Sequence, residues 1–397
     1  MPVYSADLIY TIVQPEPLSN YGIETDDSGK IIRLAPLEQY QDSRREVIFV
    51  KGIIVPGFVN AHCHLELSHM KGMIPTGTGL IEFIKNVVKR RGEKPMEDIL
   101  FEIAKGEEEM IQSGIVAVGD ISNQVDTFLQ KSLGKLRYHT FVEAFDLLQN
   151  DRTEPELNRS QAVLDQLVTL EGHKKSLVPH APYSVSRTLF KLLNDKNNRN
   201  TSVSIHHQET LDENQFIFNK TGGLMEFYKS LNLNLNDFHP IGAMSSRQVI
   251  DLMDAGRRTL LVHNTISTPQ DINAIHAWNP DTYWVTCPNA NLYIENRLPF
   301  YKYFMDQDAA VCIGTDSLAS NWKLSVLEEM KTIQQYQSYV PWDKLLQWAT
   351  LNGAKALGFE QDLGSLEAGK RPGLVNIYPF DPVRQRLNFD SQATRLI

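Results

Sequence analysis

The sequence contains few cysteines and no long hydrophobic run, and both shortages limit what the protein can be. Its 397 residues include three cysteines, an odd number that cannot form a complete disulfide framework and that favours free thiols in a reducing compartment. No apolar run approaches the roughly 20 residues of a membrane-spanning helix. The first residues lack the basic and apolar segments of a signal peptide. These absences predict a cytoplasmic protein that does not bind membranes.

Basic residues are also in the minority. Acidic residues number 48 against 39 lysines and arginines, so the formal net charge is −9. Nucleic acids and anionic membranes bind clustered basic patches, and the densest basic run, at 85–91, is explained by the solvated face of a helix. The hydrophobic fraction of 42% and the charged fraction of 22% are ordinary for a globular protein. We therefore expect a small-molecule substrate as the partner and no nucleic acid.

Short strand patterns at both ends of the chain enclose a long middle in which strands alternate with helices. The ends, residues 1–53 and 359–397, predict one small β-sandwich domain built from both termini. The middle, residues 54–358, contains eight candidate strands, which is the count of an α/β protein with a (β/α)8 TIM barrel. A doubly wound open sheet also fits this count. The candidate strands are 54–60, 114–120, 137–145, 176–181, 202–207, 259–264, 282–287 and 310–316.

Polar residues at the ends of these strands favour the barrel. In a parallel barrel the active site is built at the carboxyl ends of the strands, so side chains from distant parts of the sequence converge there. Random placement would scatter such residues over helices and loops. The strand ends carry His62, His64, Asp120, Glu143, His180, His206, His207, Glu209, His263, Asn289 and Asp316.

Two of these residues, His62 and His64, are two positions apart on a strand and therefore point to the same face. An isolated pair of this kind is equally consistent with ordinary hydrogen bonding at a strand end. His206 offers a third imidazole, Glu209 a nearby acid or base, and Asp316 a carboxylate. Catalytic zinc commonly has three protein ligands and an open position. The set is suited to one divalent metal ion, Zn²⁺ in the first place and Fe²⁺ as the alternative.

With these residues in place, the chain resembles the amidohydrolase superfamily, in its branch of metal-dependent aminohydrolases and chlorohydrolases. The motifs that carry the resemblance are, in order, "IVPGFVNAHCH", "PHAPYSVS", "HHQET", "LVHNTIS", "TCPNANLYI", "GTDSLASN" and "GSLEAGK", and they cover nearly the whole chain. The chain departs from the family at "GKRPGLVNIY", in the predicted β domain. It also lacks the lysine that two-metal relatives carry at the end of the fourth strand, which implies a single metal ion.

The resemblance implies a role for each candidate residue. The metal ligands would be His62, His64, His206 and Asp316. His207 could replace His206 on strand geometry alone, but the three-residue step to Glu209 favours His206. Glu209 would carry a proton to the substrate ring, His263 would orient the attacking water, and Asp316 would also act as base.

The activity that the resemblance implies is hydrolytic deamination of an aminated purine-type ring, a C–N bond of a cyclic amidine, with ammonia released by attack of metal-bound hydroxide. The start "HCHLELS" and the helix "LIEFIKNVVKRR" resemble 6-aminodeoxyfutalosine deaminases. S-adenosylhomocysteine, methylthioadenosine and guanine are alternative substrates. Alternative functions are an amide, imidazolone or chloro-hydrolase at the same site, or a non-catalytic scaffold. The family also tends to form homo-oligomers.

Three further residues are candidates for substrate binding. His180 would contact the substrate or the side of the leaving group. Glu66 would contact the substrate or, as the alternative, support the metal ligands. Asn289, like Asn291, would contact the substrate or cap the seventh strand. His69 is expected in a loop near the pocket mouth.

Overall fold

The structure, a computed structural model, describes residues 2–40 and 45–397, so residues 1 and 41–44 of the predicted 1–53 segment lie outside the described part. Within that part the chain forms fourteen strands that alternate with helices through most of its length. The strands are β1 (Val3–Ile9), β2 (Tyr21–Thr25), β3 (Ile31–Pro36), β4 (Val47–Pro56), β5 (Phe58–Cys63), β6 (Ile115–Ile121), β7 (Arg137–Ala144), β8 (Lys174–Pro179), β9 (Val203–His207), β10 (Thr259–His263), β11 (Thr282–Thr286), β12 (Ala310–Ile313), β13 (Leu374–Asp381) and β14 (Arg386–Arg395).

In the chain, most of the helices lie between successive strands of the middle region. Short 3₁₀ segments occur at Leu37–Tyr40, Leu65–Met70 and Asn150–Arg152. The α-helices of the described residues are α1 (Leu80–Arg90), α2 (Met96–Gln112), α3 (Phe128–Lys131), α4 (Thr153–Gln166), α5 (Arg187–Lys196), α6 (Leu211–Asn219), α7 (Gly223–Ser230), α8 (Ser245–Leu252), α9 (Pro269–Trp278), α10 (Pro288–Glu295), α11 (Tyr301–Asp306), α12 (Val326–Tyr336), α13 (Trp342–Ala349) and α14 (Leu351–Leu357).

The middle region forms two parallel sheets, β5-β6-β7-β8 and β12-β11-β10-β9. Their strands are rich in Val, Ile and Leu and are buried on both faces because helices cover the outer face. The predicted α/β architecture with parallel strands is therefore confirmed. The sheets approach each other at their carboxyl ends, where the main-chain N–H of His206 donates to O of His180 (2.9 Å) and that of Asp316 donates to O of His62 (3.1 Å).

The terminal strands form one mixed sheet in the order β14-β13-β4-β1-β2-β3. Both ends of the chain contribute, but a sandwich requires two stacked sheets, and that part of the prediction is not confirmed. The predicted strand at 54–60 is wrong because it is divided at Gly57: β4 ends in the terminal sheet and β5 begins in a parallel sheet. A Cβ at Gly57 would lie 2.3 Å from Cγ1 of Val116 and 2.6 Å from O of Pro372, so only glycine fits this tight passage.

A second apolar core covers the carboxyl ends of the parallel strands, apart from the main core around the strands themselves. It contains Leu80 and Phe83 of α1, Phe216 of α6, and Leu224 and Tyr228 of α7. The three cysteines are free and buried. Among the described helices, none combines the length and apolar character that crossing a membrane requires. The fold thus places an apolar cover over the strand ends where the polar residues converge.

Candidate metal centre and catalytic site

Three histidine nitrogens and one carboxylate oxygen meet where the parallel strands end. Nε2 of His64 lies 3.2 Å from Nε2 of His62 and 3.4 Å from Nε2 of His206. Oδ1 of Asp316 lies 3.7 Å from Nε2 of His62 and 3.5 Å from Nε2 of His64. Ligand atoms at zinc–ligand distances in a tetrahedral arrangement are roughly 3.3–3.6 Å apart. The three histidines form a group whose ligand atoms all lie within 4.8 Å of one another, and Asp316 lies beside His62 and His64, so the structure brings the four predicted ligands into one cluster.

The backbone around Asp316 directs one carboxylate oxygen at the histidines. The residue has a left-handed φ of 57°, a conformation that is sparsely populated outside glycine and that clusters at functional sites. The Ser320 hydroxyl donates to Oδ2 (2.6 Å), which leaves Oδ1 facing His62 and His64. Although burial opposes ionisation, the adjacent imidazoles of His62, His64 and His263 hold the Asp316 pKa well below its usual range.

The protonation of the imidazoles suits metal binding at two of the three positions. Burial lowers the pKa of both His62 and His64 to about 4, so they are neutral at neutral pH, which is the form that binds a metal. At His206 burial acts in the same direction, but the adjacent Glu143 carboxylate raises the pKa to about 9. The donor set of three imidazoles and a carboxylate fits a divalent ion, and His206 would lose its proton on binding it.

His206, and not its neighbour His207, faces the cluster. Nδ1–H of His206 donates to the main-chain O of His180 (2.9 Å) and lies 3.2 Å from Oε1 of Glu143, which leaves Nε2 free to bind a metal. Nδ1–H of His207 donates to Oδ1 of Asn264 (2.9 Å), and its ring packs against Trp284. The alternation of side chains along β9 thus separates the two histidines.

Glu209 and His263 lie beside the cluster, with Oε1 of Glu209 3.6 Å from Nε2 of His263. Burial raises the pKa of Glu209 to about 8, so its carboxyl group holds a proton at neutral pH. Burial lowers the pKa of His263 to about 4, and its Nδ1–H donates to Oδ1 of Asn291 (2.8 Å). Nε2 of His263 therefore presents a lone pair. The site contains a proton donor and a hydrogen-bond acceptor side by side.

A cavity of about 540 Å³ opens above these residues, a volume typical of small-molecule sites. His180 lies in its wall, with Nδ1 2.7 Å from the Ser184 hydroxyl. Three basic residues of the α1 segment, Lys85, Lys89 and Arg91, also contribute to the lining. The apolar part of the wall is formed by Leu67, Leu80, Phe83, Ile84, Val87, Val88, Phe145, Leu147, Tyr183, Phe227, Tyr228, Leu231 and Ile294.

Glu66 lines the same cavity, but protein groups already occupy both of its oxygens. Oε2 accepts the main-chain N–H groups of Asn123 (2.8 Å) and Gln124 (3.0 Å), and Oε1 lies 3.5 Å from Nη2 of Arg91. This arrangement favours the alternative in which Glu66 supports the site. His69 is buried, with Nε2 2.9 Å from O of Arg91.

Asn289 lies outside the cavity wall as far as the described residues show. Its Oδ1 accepts the hydroxyl of Thr332 (2.6 Å), and its main-chain N–H donates to Glu329. The structure therefore does not support a substrate contact by Asn289, and its neighbour Asn291 instead positions His263.

Two residues that line the cavity, Asn123 and Glu143, have no role assigned from the sequence. The position of Glu143 at a strand end was the available signal. Asn123 follows β6 in a loop, and no local motif distinguishes it from other asparagines.

Comparison with known proteins agrees with this geometry. The sequence model of the amidohydrolase family matches residues 53–394. The chain is 26% identical over 380 residues to an adenosine deaminase of Helicobacter pylori, an alignment that covers 90% of this chain and 87% of the relative.

Two solved structures share the fold. Aminofutalosine deaminase of Helicobacter pylori, in complex with methylthio-coformycin, has a TM-score of 0.80 at 23% identity, covering 95% of this chain and 92% of that chain. An adenosine deaminase from Xanthomonas campestris with bound zinc has a TM-score of 0.74 at 21% identity, covering 94% and 84%.

Proposed function

Because the chain belongs to the amidohydrolase family, with residues 53–394 matched, we propose that it is a metal-dependent hydrolytic deaminase of adenine nucleoside derivatives, with 6-aminodeoxyfutalosine as the favoured substrate. The observation that carries the proposal is the convergence of four ligand atoms with Glu209 and His263 at the floor of one cavity. The adenosine and aminofutalosine deaminases among the similar proteins support the substrate class.

The proposed cofactor is one Zn²⁺ ion held by His62, His64, His206 and Asp316, with Fe²⁺ as the alternative. When bound, such an ion lowers the pKa of a water molecule towards neutrality and so supplies the nucleophile. The zinc-bound structure with the same fold supports this assignment. The neutral imidazoles of His62 and His64 are already in the binding form.

The remaining steps are carried out by the side chains of this protein. The protonated carboxyl of Glu209 donates to a ring nitrogen, which makes the adjacent amidine carbon electrophilic. Nε2 of His263 accepts a hydrogen bond from the attacking water and fixes its orientation. Asp316 takes one water proton and delivers it to the leaving amine, so that ammonia departs. The second water proton returns to Glu209 as the carbonyl forms, and the protons balance.

The shape of the cavity supports a substrate that extends beyond a simple nucleoside. Its volume and its apolar wall suit a large substituent at the 5′ end of the ribose. In 6-aminodeoxyfutalosine that substituent is an aromatic ketone that carries a carboxylate, and Arg91 at the cavity wall is the complementary charge. Methylthioadenosine, S-adenosylhomocysteine and guanine are the alternatives that a substrate panel must include.

The test is ammonia release by the metal-replete protein from 6-aminodeoxyfutalosine, adenosine, 5′-deoxyadenosine, methylthioadenosine, S-adenosylhomocysteine and guanine. We expect release from adenine nucleosides, with the highest kcat/KM for 6-aminodeoxyfutalosine. Amide, imidazolone and chlorinated ring substrates test the alternative hydrolase reactions. No ammonia from any aminated ring would contradict the deaminase assignment.

We also propose that the two parallel sheets close into one (β/α)8 barrel over residues 54–358, and that residues 1–53 and 359–397 form the small β domain. The hydrogen bonds between the β8–β9 and β5–β12 ends support closure. Assembly into a homo-oligomer stays a prediction.

A further inference from the structure

One corner of the cavity is polar although most of its wall is apolar. Asn123 and Glu143 both line this corner, and Nδ2 of Asn123 donates to Oε2 of Glu143 (3.0 Å). A carboxylate only accepts hydrogen bonds, so this contact fixes the orientation of the amide group. Oδ1 of Asn123 therefore points away from Glu143, and it is buried with no hydrogen-bond partner in the described part of the chain. An unpaired buried acceptor is rare and requires an explanation.

The second oxygen of Glu143 also has unused capacity to accept. Oε1 lies 3.2 Å from Nδ1 of His206, but the proton on that nitrogen is directed at the main-chain O of His180 (2.9 Å). The Glu143 side chain is 2% exposed. The corner thus presents a carboxylate acceptor next to an amide acceptor.

Hydrogen bonds to the main chain of Asn123 and Glu143 fix the position of this corner. Oε2 of Glu66 accepts the main-chain N–H groups of Asn123 and Gln124, and Nη1 of Arg159 donates to O of Asn123 (3.3 Å). The strand β7 fixes Glu143, whose main-chain O accepts the Ser160 hydroxyl (3.0 Å). A corner that is fixed on both sides is preorganised for a ligand and loses little entropy on binding.

We infer that Asn123 and Glu143 bind the 2′ and 3′ hydroxyls of the substrate ribose, an inference that rests on the proposed function. The unpaired Oδ1 of Asn123, next to a carboxylate that has further capacity to accept, matches a ligand that offers two adjacent hydroxyl donors. Because Glu143 contacts His206, the corner borders the metal ligands, where the sugar of a base held at Glu209 would lie. Asn123 and Glu143 then select ribonucleosides over 2′- and 3′-deoxynucleosides.

The first test compares coformycin with 2′-deoxycoformycin, two nucleoside inhibitors that differ only in the 2′ hydroxyl, by calorimetric titration of the metal-replete protein. We expect the wild type to bind coformycin about 10- to 100-fold more tightly, the range for a hydrogen bond to a charged or preorganised acceptor. Asn123→Ala and Glu143→Gln should reduce this preference to about threefold or less. The parallel measurement is kcat/KM for adenosine against 3′-deoxyadenosine, with the same expected pattern.

The preference is a ratio within each variant, so it does not depend on how much of that variant is folded. The matched controls, Asn150→Ala and Glu154→Gln, alter exposed residues and should keep the wild-type preference. Equal binding of both coformycins to the wild type, or an undiminished preference in Asn123→Ala, would overturn the ribose subsite and leave the deaminase proposal standing. Failure of both coformycins to bind, together with no ammonia from any nucleoside, would overturn both.

Discussion

Two buried carboxyl groups of the site, Glu209 and Asp316, have opposite protonation states. Burial raises the pKa of Glu209 to about 8, whereas at Asp316 the surrounding imidazoles overcome burial and keep the group ionised. A pair of titratable groups whose environments separate their pKa values indicates which is the acid and which is the base. This difference supports the proposed roles of Glu209 as proton donor and of Asp316 as metal ligand and base.

The first prediction concerns Glu209. Glu209→Gln keeps the shape of the side chain but removes the transferable proton, so kcat should fall by about 10²- to 10⁴-fold while metal content stays near one ion per chain. Activity assays and elemental analysis measure the two effects. The control is Glu154→Gln, at an exposed position. Near-wild-type turnover in Glu209→Gln would contradict the proposed role of Glu209 as proton donor.

The second prediction concerns His139, which lies outside the site. Its ring stacks on Phe141, and its nitrogens lie 3.2 Å from O of Leu357 and from the Ser176 hydroxyl. Burial lowers its pKa from 6.5 to about 3. Between these pH values the unfolded chain binds a proton at His139 that the folded protein does not bind. The neutral His139 therefore costs no stability above pH 6.5, and the free energy of unfolding falls as the pH is lowered from 6.5 towards 3.

The measurement is the free energy of unfolding of wild type and His139→Gln between about pH 4 and pH 8. The wild type should lose up to about 1.4 kcal/mol per pH unit more than the variant below roughly pH 6.5. The comparison isolates His139 from the other buried histidines. Parallel curves for the two proteins would show that His139 does not titrate in this way.

At the scale of elements, the helix α1 is held over the cavity by a contact from a distant part of the chain. Gly79, at the amino end of α1, has no side chain to cap the helix, and Oε1 of Glu295 instead accepts the N–H of Leu80 (2.7 Å). A carboxylate at a helix amino terminus also interacts favourably with the helix dipole. The end of α10 therefore helps to fix the cover of the cavity.

The third prediction follows from this contact. Glu295→Ala removes the cap, worth about 1 kcal/mol, so amide hydrogens of residues 80–90 should exchange about fivefold faster, and KM should rise because the cavity cover is looser. Hydrogen exchange detected by mass spectrometry measures the first effect. The control on α1 is Glu82→Ala, which breaks only an exposed ion pair with Lys85. Unchanged exchange in Glu295→Ala would show that the cap contributes nothing.

The elements also show how much can be predicted from the sequence. Hydrophobic runs that end in a polar residue located β6 to β12 within a few residues, and the motifs of the family predicted four candidate ligands that the fold brings together. The division at Gly57 was missed because it depends on the approach of Val116 and Pro372, which are far away in sequence. The sequence predicted no role for Asn123 and Glu143 for the same reason, since their proposed function depends on a hydrogen bond between separate segments and not on a local pattern.

Asn289 shows a limit of the sequence pattern. It follows a buried strand beside Cys287 and Pro288, as a site residue would, but a rotation of about 100° per residue along α10 separates it from Asn291. Asn291 contacts His263, whereas Asn289 contacts Thr332. The sequence pattern identified the start of the helix but could not predict which of the two asparagines faces the site.

At the scale of the whole molecule, the fourth prediction concerns the ion. An ion that binds only the folded protein stabilises it, by about 4 kcal/mol when the free ion is roughly 1,000-fold above its Kd. Removal by a chelator should lower Tm and abolish deamination, and Zn²⁺ should restore both. In His62→Ala, Tm should not respond to Zn²⁺. A Tm that is the same with and without the ion would contradict the proposed metal centre.

The direct connection of β4 to β5 through the single residue Gly57 has a mechanical consequence. β4 and β5 are joined without a linker, and side chains from both, such as Val55 and Phe58, belong to one core with Val375 and Ile377 of β13. The two parts of the chain therefore cannot behave as hinged bodies, and the strand that contains His62 is anchored to the last strands of the protein. We expect them to melt together as one cooperative unit, so that calorimetry shows one transition; two separated transitions would mean that the parts unfold independently.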